Sequence, residues 1–350
     1  MERIYTSLQS ILDSGFDTII DVRSPSEFAL DHIAGAINLP VLSDLERAEV
    51  GTIYTQDSRF RARKIGAAHI FTNTAAHVAG PLAQYDGSWR PLVYCWRGGQ
   101  RSGSFGYLLE QIGWRAEVIQ GGYRAYRALV HDVLYSEPVS HRIVLLDGNT
   151  GTAKTEILHR MAALGHQVID LEGLAGHRGS LLGGMGPQPS QKAFESEIAG
   201  QLCRMDPNRP ILIEAESSKI GERLIPPMLW SAMRAAPRIE ITAPVAARAV
   251  YLARIYDDLW QDDLELLRLL EPLHSIRGDA VVARWRAKIA EADKIGLACS
   301  LMTDHYDLAY QKSRAVRGSK IMSSIHTDGL EDTDLTRVTD ALSEALAKIQ

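Results

Sequence analysis

Short apolar runs closed by glycine, proline or charged turns alternate along the chain with stretches whose apolar positions recur at helical spacing. Residues 18–22 read as a buried strand, 25–30 as a short helix, and 36–39 as a second strand that enters a turn at Pro40. A polar, arginine-rich stretch follows at residues 59–64. Residues 91–94 form the next apolar run, and Phe105, Leu108, Leu109 and Ile112 beyond it share one helical face. Residues 117–119 predict a strand, Gly121 and Gly122 a turn, and residues 123–134 a helix. Residues 135–141, with Ser136, Pro138 and Ser140, read as a linker. From Arg142 the pattern restarts with a strand at 143–146, a glycine loop, a helix at 154–164 stopped by Gly165, and a strand at 167–171. Strands at 210–214 and 238–241, long helical patterns from Val245 and a terminal helix at 332–349 complete it. Leu264, Leu267, Leu270, Leu273, Ile289 and Ile295 are expected on core faces of the later helices.

This alternation predicts an α/β protein with two cores, residues 1–134 and residues 142–350, the second ending in a helical part. A length of 350 residues suits two cores of ordinary size. The formal net charge of −5 excludes a basic-tail protein but leaves room for a local basic face. Three widely spaced cysteines, Cys95, Cys203 and Cys299, form no CxxC pair, which fits a reducing cytoplasm. The first residues lack the apolar core of a signal peptide, and no apolar run approaches membrane-spanning length. A soluble, cytoplasmic protein without membrane contact is expected. No histidine pair has metal-ligand spacing, so no structural metal is expected.

The apolar run at 91–94 ends at Cys95, which opens the loop Cys95-Trp96-Arg97-Gly98-Gly99-Gln100-Arg101-Ser102 and leads into a helix. Backbone N–H groups, the helix dipole, Arg97 and Arg101 all favour a thiolate there, which makes Cys95 a candidate nucleophile. Five residues separate Cys95 from Arg101, the CxxxxxR spacing of cysteine phosphatase loops and one residue longer than common sulfurtransferase loops. Such a loop can ring a phosphate-sized anion while arginine binds two of its oxygens.

A second anion cradle is predicted between the strand at 143–146 and the helix at 154–164. Gly148, Asn149, Thr150, Gly151, Thr152, Lys154 and Thr155 follow the P-loop pattern GxxxxGK[ST], except that Ala153 stands where the second glycine belongs. Its Cβ is expected to strain the loop or crowd the phosphates. Glu214 and Glu216, at the end of the strand 210–214, are candidates for an acidic role or for Mg²⁺. His177 and Arg178 open a glycine-rich segment that runs through Ser180, Leu181 and Leu182 and reads as a loop. Arg59, Arg61, Arg63 and Lys64, with Arg124, Arg127, Arg314, Arg317 and Lys320, could line a polyanion track.

Several motifs occur together in order: Asp21-Val22-Arg23-Ser24-Pro25, His32-Ile33-Ala34-Gly35-Ala36-Ile37-Asn38-Leu39-Pro40, Tyr94-Cys95-Trp96-Arg97-Gly98-Gly99, the P-loop, His177-Arg178-Gly179-Ser180, Gln188 to Glu195, Glu214-Ala215-Glu216-Ser217 and His305-Tyr306-Asp307. In this order they resemble the tRNA 2-selenouridine synthase family over nearly the whole chain. The resemblance implies a rhodanese-like parallel-sheet domain followed by a P-loop NTPase-like α/β domain with helical carboxyl-terminal part. It implies a transferase acting on tRNA that carries 2-thiouridine at the wobble position. The implied steps are S-geranylation from geranyl diphosphate, then replacement of the geranylated sulfur by selenium from selenophosphate. Cys95 matches the family cysteine that carries selenium as a selenyl-cysteine, and a selenophosphate-supplying enzyme is an implied partner. No tightly bound cofactor is implied, and Mg²⁺ fits the diphosphate step. Taken without the resemblance, the residues also fit a sulfurtransferase or cysteine phosphatase fused to an NTPase or kinase, or a non-catalytic phosphate-binding module.

Overall fold

The computed structural model describes residues 2–179, 183, 184, 186–256, 262–310 and 321–349. The chain divides into two compact units. The first comprises Met1–Pro138 with Pro189–Arg204, and the second Val139–Gln188 with Met205–Gln350.

The first unit is built on five parallel strands, β1 (Glu2–Arg3), β2 (Thr18–Asp21), β3 (Ile37–Asn38), β4 (Pro91–Tyr94) and β5 (Glu117–Ile119), in the order β1-β5-β4-β2-β3. β4 is central and all four of its residues are buried, which is why it reads as an unbroken apolar run. Its helices are α1 (Leu8–Leu12), α2 (Pro25–Leu30), α3 (Asp44–Gln56), α4 (Arg59–Ala79), α5 (Gln100–Ile112) and α6 (Gly122–His131). Ile20, Val93, Phe105, Leu109, Trp114 and Val118 form the centre of the core. Each such buried side chain contributes about 1.5–3 kcal/mol relative to exposure.

Three features of this unit depart from the sequence reading. The arginine-rich stretch is the start of α4, and α3 precedes it, capped by Ser43 in a capping box with Glu46. α3 has no buried residue, so it carries no apolar stripe to announce it. A π-turn, Asp132–Ser136, extends α6 into the expected linker. Finally, a helix from far along the chain, Gln191–Arg204 (α9 in chain order), belongs to this unit. It is held by Glu195, which accepts from Tyr135 Oη at 2.6 Å and pairs with Arg127. Arg127 is thereby taken out of the expected polyanion track.

The second unit has five parallel strands, β6 (Ile143–Gly148), β7 (Gln167–Ile169), β8 (Ile211–Glu214), β11 (Arg238–Thr242) and β12 (Ile321–His326), in the order β12-β11-β6-β8-β7. A separate antiparallel hairpin joins β9 (Lys219–Ile220) and β10 (Arg223–Leu224). Around the sheet lie α7 (Lys154–Ala163), α8 (Leu171–Ala175), α10 (Pro227–Ala235), α11 (Val245–Ile255) and the last helix, Asp332–Ala347. The expected strand at 167–171 stops early because Asp170 caps α8, accepting from Gly173 N at 2.7 Å. The helices Asp263–Leu270, Asp279–Ala290 and Lys294–Leu301 pack around Leu270, Leu273, Trp285, Ile289 and Leu301. Leu264 and Ile295, expected in that core, are instead 80% and 50% exposed, on the outer faces of their helices. Among the described residues, no helix is long and apolar enough to cross a membrane.

Candidate functional site

Each unit carries one loop that runs from the carboxyl end of a central parallel strand into a helix, the place where α/β sheets bind ligands. In the first unit, β4 delivers buried Cys95 to the loop and α5 begins at Gln100. Ser102, on the first turn of α5, donates its hydroxyl to Cys95 Sγ at 3.1 Å and so orients the sulfur. From behind, Tyr123 N donates to the Cys95 carbonyl at 2.8 Å and Arg124 N to the Trp96 carbonyl at 3.1 Å. That clamp requires Gly122, which sits at φ +57° and whose Cβ would overlap the Cys95 carbonyl oxygen.

Tyr123 is itself held by a buried network from the Asp21-Val22-Arg23 motif. Arg23 Nε and Nη2 both meet Asp21, the Arg23 guanidinium lies 4.1 Å from the Tyr123 ring centre, and Tyr123 Oη donates to Asp31 at 2.7 Å. The motif therefore positions the Cys95 loop from beneath. Of the two arginines expected to clamp an anion, Arg97 is exposed and without a partner among the described residues. Arg101 differs from expectation, because its Nη1 donates to Glu27 at 2.7 Å and Arg47 Nε lies 3.1 Å from the same oxygen. Burial would raise the Glu27 carboxyl, but the hydrogen bond and charge of Arg101, aided by Arg47, hold it below the ordinary carboxylate range.

In the second unit the loop after β6 leads into α7 and lines a cavity of about 390 Å³. Ala153 has the left-handed backbone, φ 59° and ψ 26°, that the missing glycine would adopt freely. This conformation costs about 1–2 kcal/mol in a residue with a Cβ, and the methyl is accommodated in the core with Ile157 and Met161. Thr152 braces the loop by donating to the Asn149 carbonyl from its hydroxyl at 2.8 Å. Arg248 Nη1 donates to the Thr150 carbonyl at 3.0 Å and to Asp307 Oδ1 at 2.9 Å, while Arg248 Nη2 donates to Asp307 Oδ2 at 2.8 Å. Asp307, in the His305-Tyr306-Asp307 motif, thus fixes the P-loop through Arg248.

Lys154 Nζ donates to the Gly148 carbonyl at 2.9 Å and lies 5.7 Å from the Tyr310 ring centre. Burial would lower its pKa, but Tyr310, Glu216, Glu172 and Asp147 raise it. Thr155 Oγ1 donates to Glu172 Oε2 at 3.1 Å. Burial and the charge of Glu216 push Glu172 up to about 8, against the pull of Lys154 and Thr155. Glu172 and Glu216 both face the cavity, together with Asp170 and Arg178. Glu214, expected in that role, is not among the lining residues and is buried behind them. It accepts from Leu171 N at 3.2 Å, and burial with its acidic neighbours raises its pKa strongly. Asp170, Glu172, Arg248 and Tyr310 are missing from the sequence reading. The signal for the first two was present, since Asp170 and Glu172 immediately follow a strand's carboxyl end.

Arg178 stacks 4.8 Å from the Tyr256 ring centre and lines the cavity, whereas His177 Nδ1 accepts from Gly179 N at 3.1 Å and does not. Arg59, Arg63 and Lys64 lie exposed on the first turns of α4. Ser180, Leu181, Leu182, Arg314, Arg317 and Lys320 lie outside the described residues. Among the described residues, no group of three or more His, Cys, Asp or Glu is arranged to hold a metal ion.

Two family profiles match the chain, one after the other. One described as a rhodanese-like domain matches residues 5–129, and one described as the tRNA 2-selenouridine synthase AAA domain matches residues 141–267. A tRNA 2-selenouridine synthase of Nitrosomonas europaea is 34% identical over 66% of this chain and 61% of its own length. One of Shewanella frigidimarina is 34% identical over 70% of this chain and 66% of its own. The matched segment thus spans less than two thirds of either relative. Among solved structures, a Saccharomyces cerevisiae homologue of single-domain rhodanese and of the Cdc25 phosphatase catalytic domain aligns at 15% identity. That alignment covers 37% of this chain and 82% of the other, with a TM-score of 0.23. With the two profiles matched in order and these relatives 34% identical, the chain is similar to the tRNA 2-selenouridine synthases over most of its length.

Proposed function

We propose that this protein converts the wobble 2-thiouridine of tRNA to 2-selenouridine, by S-geranylation from geranyl diphosphate and then exchange of the geranylated sulfur for selenium from selenophosphate. The observation that carries this reading is the pairing, in one chain, of two separate strand-to-helix loops, one with Cys95 and one with Lys154. A one-step thiol transfer would need only the first.

In the first step the tRNA sulfur attacks the diphosphate-bearing carbon of the geranyl donor. A C–S bond forms, the C–O bond breaks, the diphosphate leaves with the electron pair, and the base loses its N3 proton. Lys154 and the N–H groups at the start of α7 hold the departing diphosphate. Mg²⁺, which neutralises diphosphate charge, would be held by Thr155 and Glu172 together with the diphosphate's own oxygens.

In the second step alkylation has made the sulfur a good leaving group. The Cys95 thiolate attacks phosphorus of selenophosphate, so that an S–P bond replaces the Se–P bond; the selenide released adds to C2, geranylthiol departs to leave 2-selenouridine, and water cleaves the S–P bond to return phosphate and the free thiol. Selenium stays at the selenide level throughout. A selenyl-cysteine at Cys95 would require a two-electron acceptor in addition, because its S–Se bond holds selenium in a more oxidised form. In the redox-neutral route the Cys95 loop holds the donor's phosphate, with Arg97 and the N–H groups of Arg101 not used by Glu27. A selenophosphate-supplying enzyme would then be the natural upstream partner.

Two variants separate the steps. By nucleoside mass spectrometry, Cys95→Ser is expected to leave geranylated tRNA and lose 2-selenouridine, while Lys154→Ala loses the geranylated product first. Full selenation by Cys95→Ser would remove Cys95 from the mechanism.

A further inference from the structure

Beside the Cys95 loop, within the first unit, lies a cavity of about 660 Å³ enclosed by α3, α4 and the first turn of α5. Its volume falls within the roughly 300–1,000 Å³ of small-molecule sites. The end of the Cys95 loop reaches it, since Gln100 and Arg101 line it and are followed by Ser102, which contacts Cys95 Sγ. We propose that this cavity binds a single nucleotide of the substrate RNA, with its phosphate at the arginine rim and its base against Tyr54. This rests on the reading above that the substrate is a tRNA.

The lining has three parts that match a nucleotide. Arg47, Arg63 and Arg101 supply cationic donors. Arg47 and Arg101 converge on one Glu27 oxygen, at 3.1 and 2.7 Å, which keeps both guanidinium groups at the same edge. Arg63 is exposed and has no partner among the described residues, so its charge is available to a phosphate. The floor is apolar, from Leu42, Ala62 and Ile70, while Gln100 and Ser104 offer groups that can hydrogen-bond a base edge. Tyr54 is 44% exposed at the cavity and provides the aromatic surface on which unpaired bases stack.

Local structure agrees with a surface kept open for a polyanion. α3 contributes no buried residue, so the wall it forms is not committed to the core. Arg59 approaches the Tyr54 ring at 5.6 Å and Lys64 is exposed nearby in sequence, which extends positive charge beyond the cavity along α4. A prenyl chain would favour a wholly apolar tunnel, whereas three arginines and the polar side chains of Thr52, Thr55, Gln100 and Ser104 line this one.

The test uses the full chain and a synthetic anticodon stem-loop with 2-thiouridine at the wobble position, 4-thiouridine at the neighbouring loop positions as photo-crosslinker, and an end-attached fluorophore for anisotropy. Tyr54→Ala is expected to weaken binding about tenfold and Tyr54→Phe to restore it, as stacking requires. Arg63→Ala is expected to weaken binding and lower the slope of log affinity against log salt by about 1. Crosslinks should map to α3, α4 or the first turn of α5, and uridine monophosphate should compete with them. Wild-type affinity in both alanine variants, crosslinks confined to other segments, or competition by geranyl diphosphate but not by uridine monophosphate would overturn the proposal. A wild-type chain that binds no stem-loop at all would instead defeat the tRNA reading, and the nucleotide site with it.

Discussion

Single residues set the terms of both loops. Gly122 has no side chain because the Cys95 carbonyl occupies that space and because φ is +57°. Gly122→Ala is expected to destabilise the protein by about 2–5 kcal/mol, the sum of left-handed strain and overpacking, measured by denaturant unfolding. Glu172 works through charge rather than shape. With its folded pKa at about 8, the folded protein keeps a proton that the unfolded chain releases near the ordinary value of 4.5. Stability should therefore fall as pH rises through that window and level off above it. Glu172→Gln should flatten this dependence, seen as a higher Tm than wild type above about pH 8 and little difference near pH 5. Binding of diphosphate in the absence of divalent cation should weaken over the same rise, since an ionised Glu172 faces the cavity that Lys154 serves. A Tm difference that is independent of pH would remove Glu172 from this account.

At the scale of elements, the segments that carry the chemistry were readable because physical need shaped their composition. β4 and β6 are buried on both faces and so appear as apolar runs, and the glycines after them mark loops that approach other backbone closely. What could not be read was pairing across distance. Arg101 sits at the expected spacing from Cys95, but its partner Glu27 lies in another helix. Glu214 ends a strand as expected, yet Glu172, from the neighbouring strand's exit, is the carboxylate that reaches Thr155. α3 escaped notice for lack of an apolar stripe, and β12 because it alternates exposed and half-buried positions with no buried one. α9 was illegible for a different reason, since no local pattern says which unit a helix will join. Its anchor is testable: Glu195→Ala leaves Arg127 without its carboxylate and Tyr135 without its acceptor. A loss of about 3 kcal/mol by denaturant unfolding is expected, and a loss below about 1 kcal/mol would show that apolar packing alone holds α9.

At the scale of the whole molecule, a single chain joins a thiol in the loop after one parallel sheet's central strand to a lysine at the corresponding place on another. The net charge of −5 shows that any RNA-binding face must be local, and the exposed arginines and lysine at the start of α4 are the described residues best suited to it. Two such loops make sense if two different phosphorylated donors are consumed in order on one substrate. The most direct test is mass spectrometry of nucleosides from 2-thiouridine tRNA incubated with the protein and with geranyl diphosphate and selenophosphate, added separately and together. The account predicts geranylated 2-thiouridine with the first donor alone, no 2-selenouridine with the second alone, and 2-selenouridine only when both are present. Absence of both products, or 2-selenouridine formed from selenophosphate alone, would contradict it.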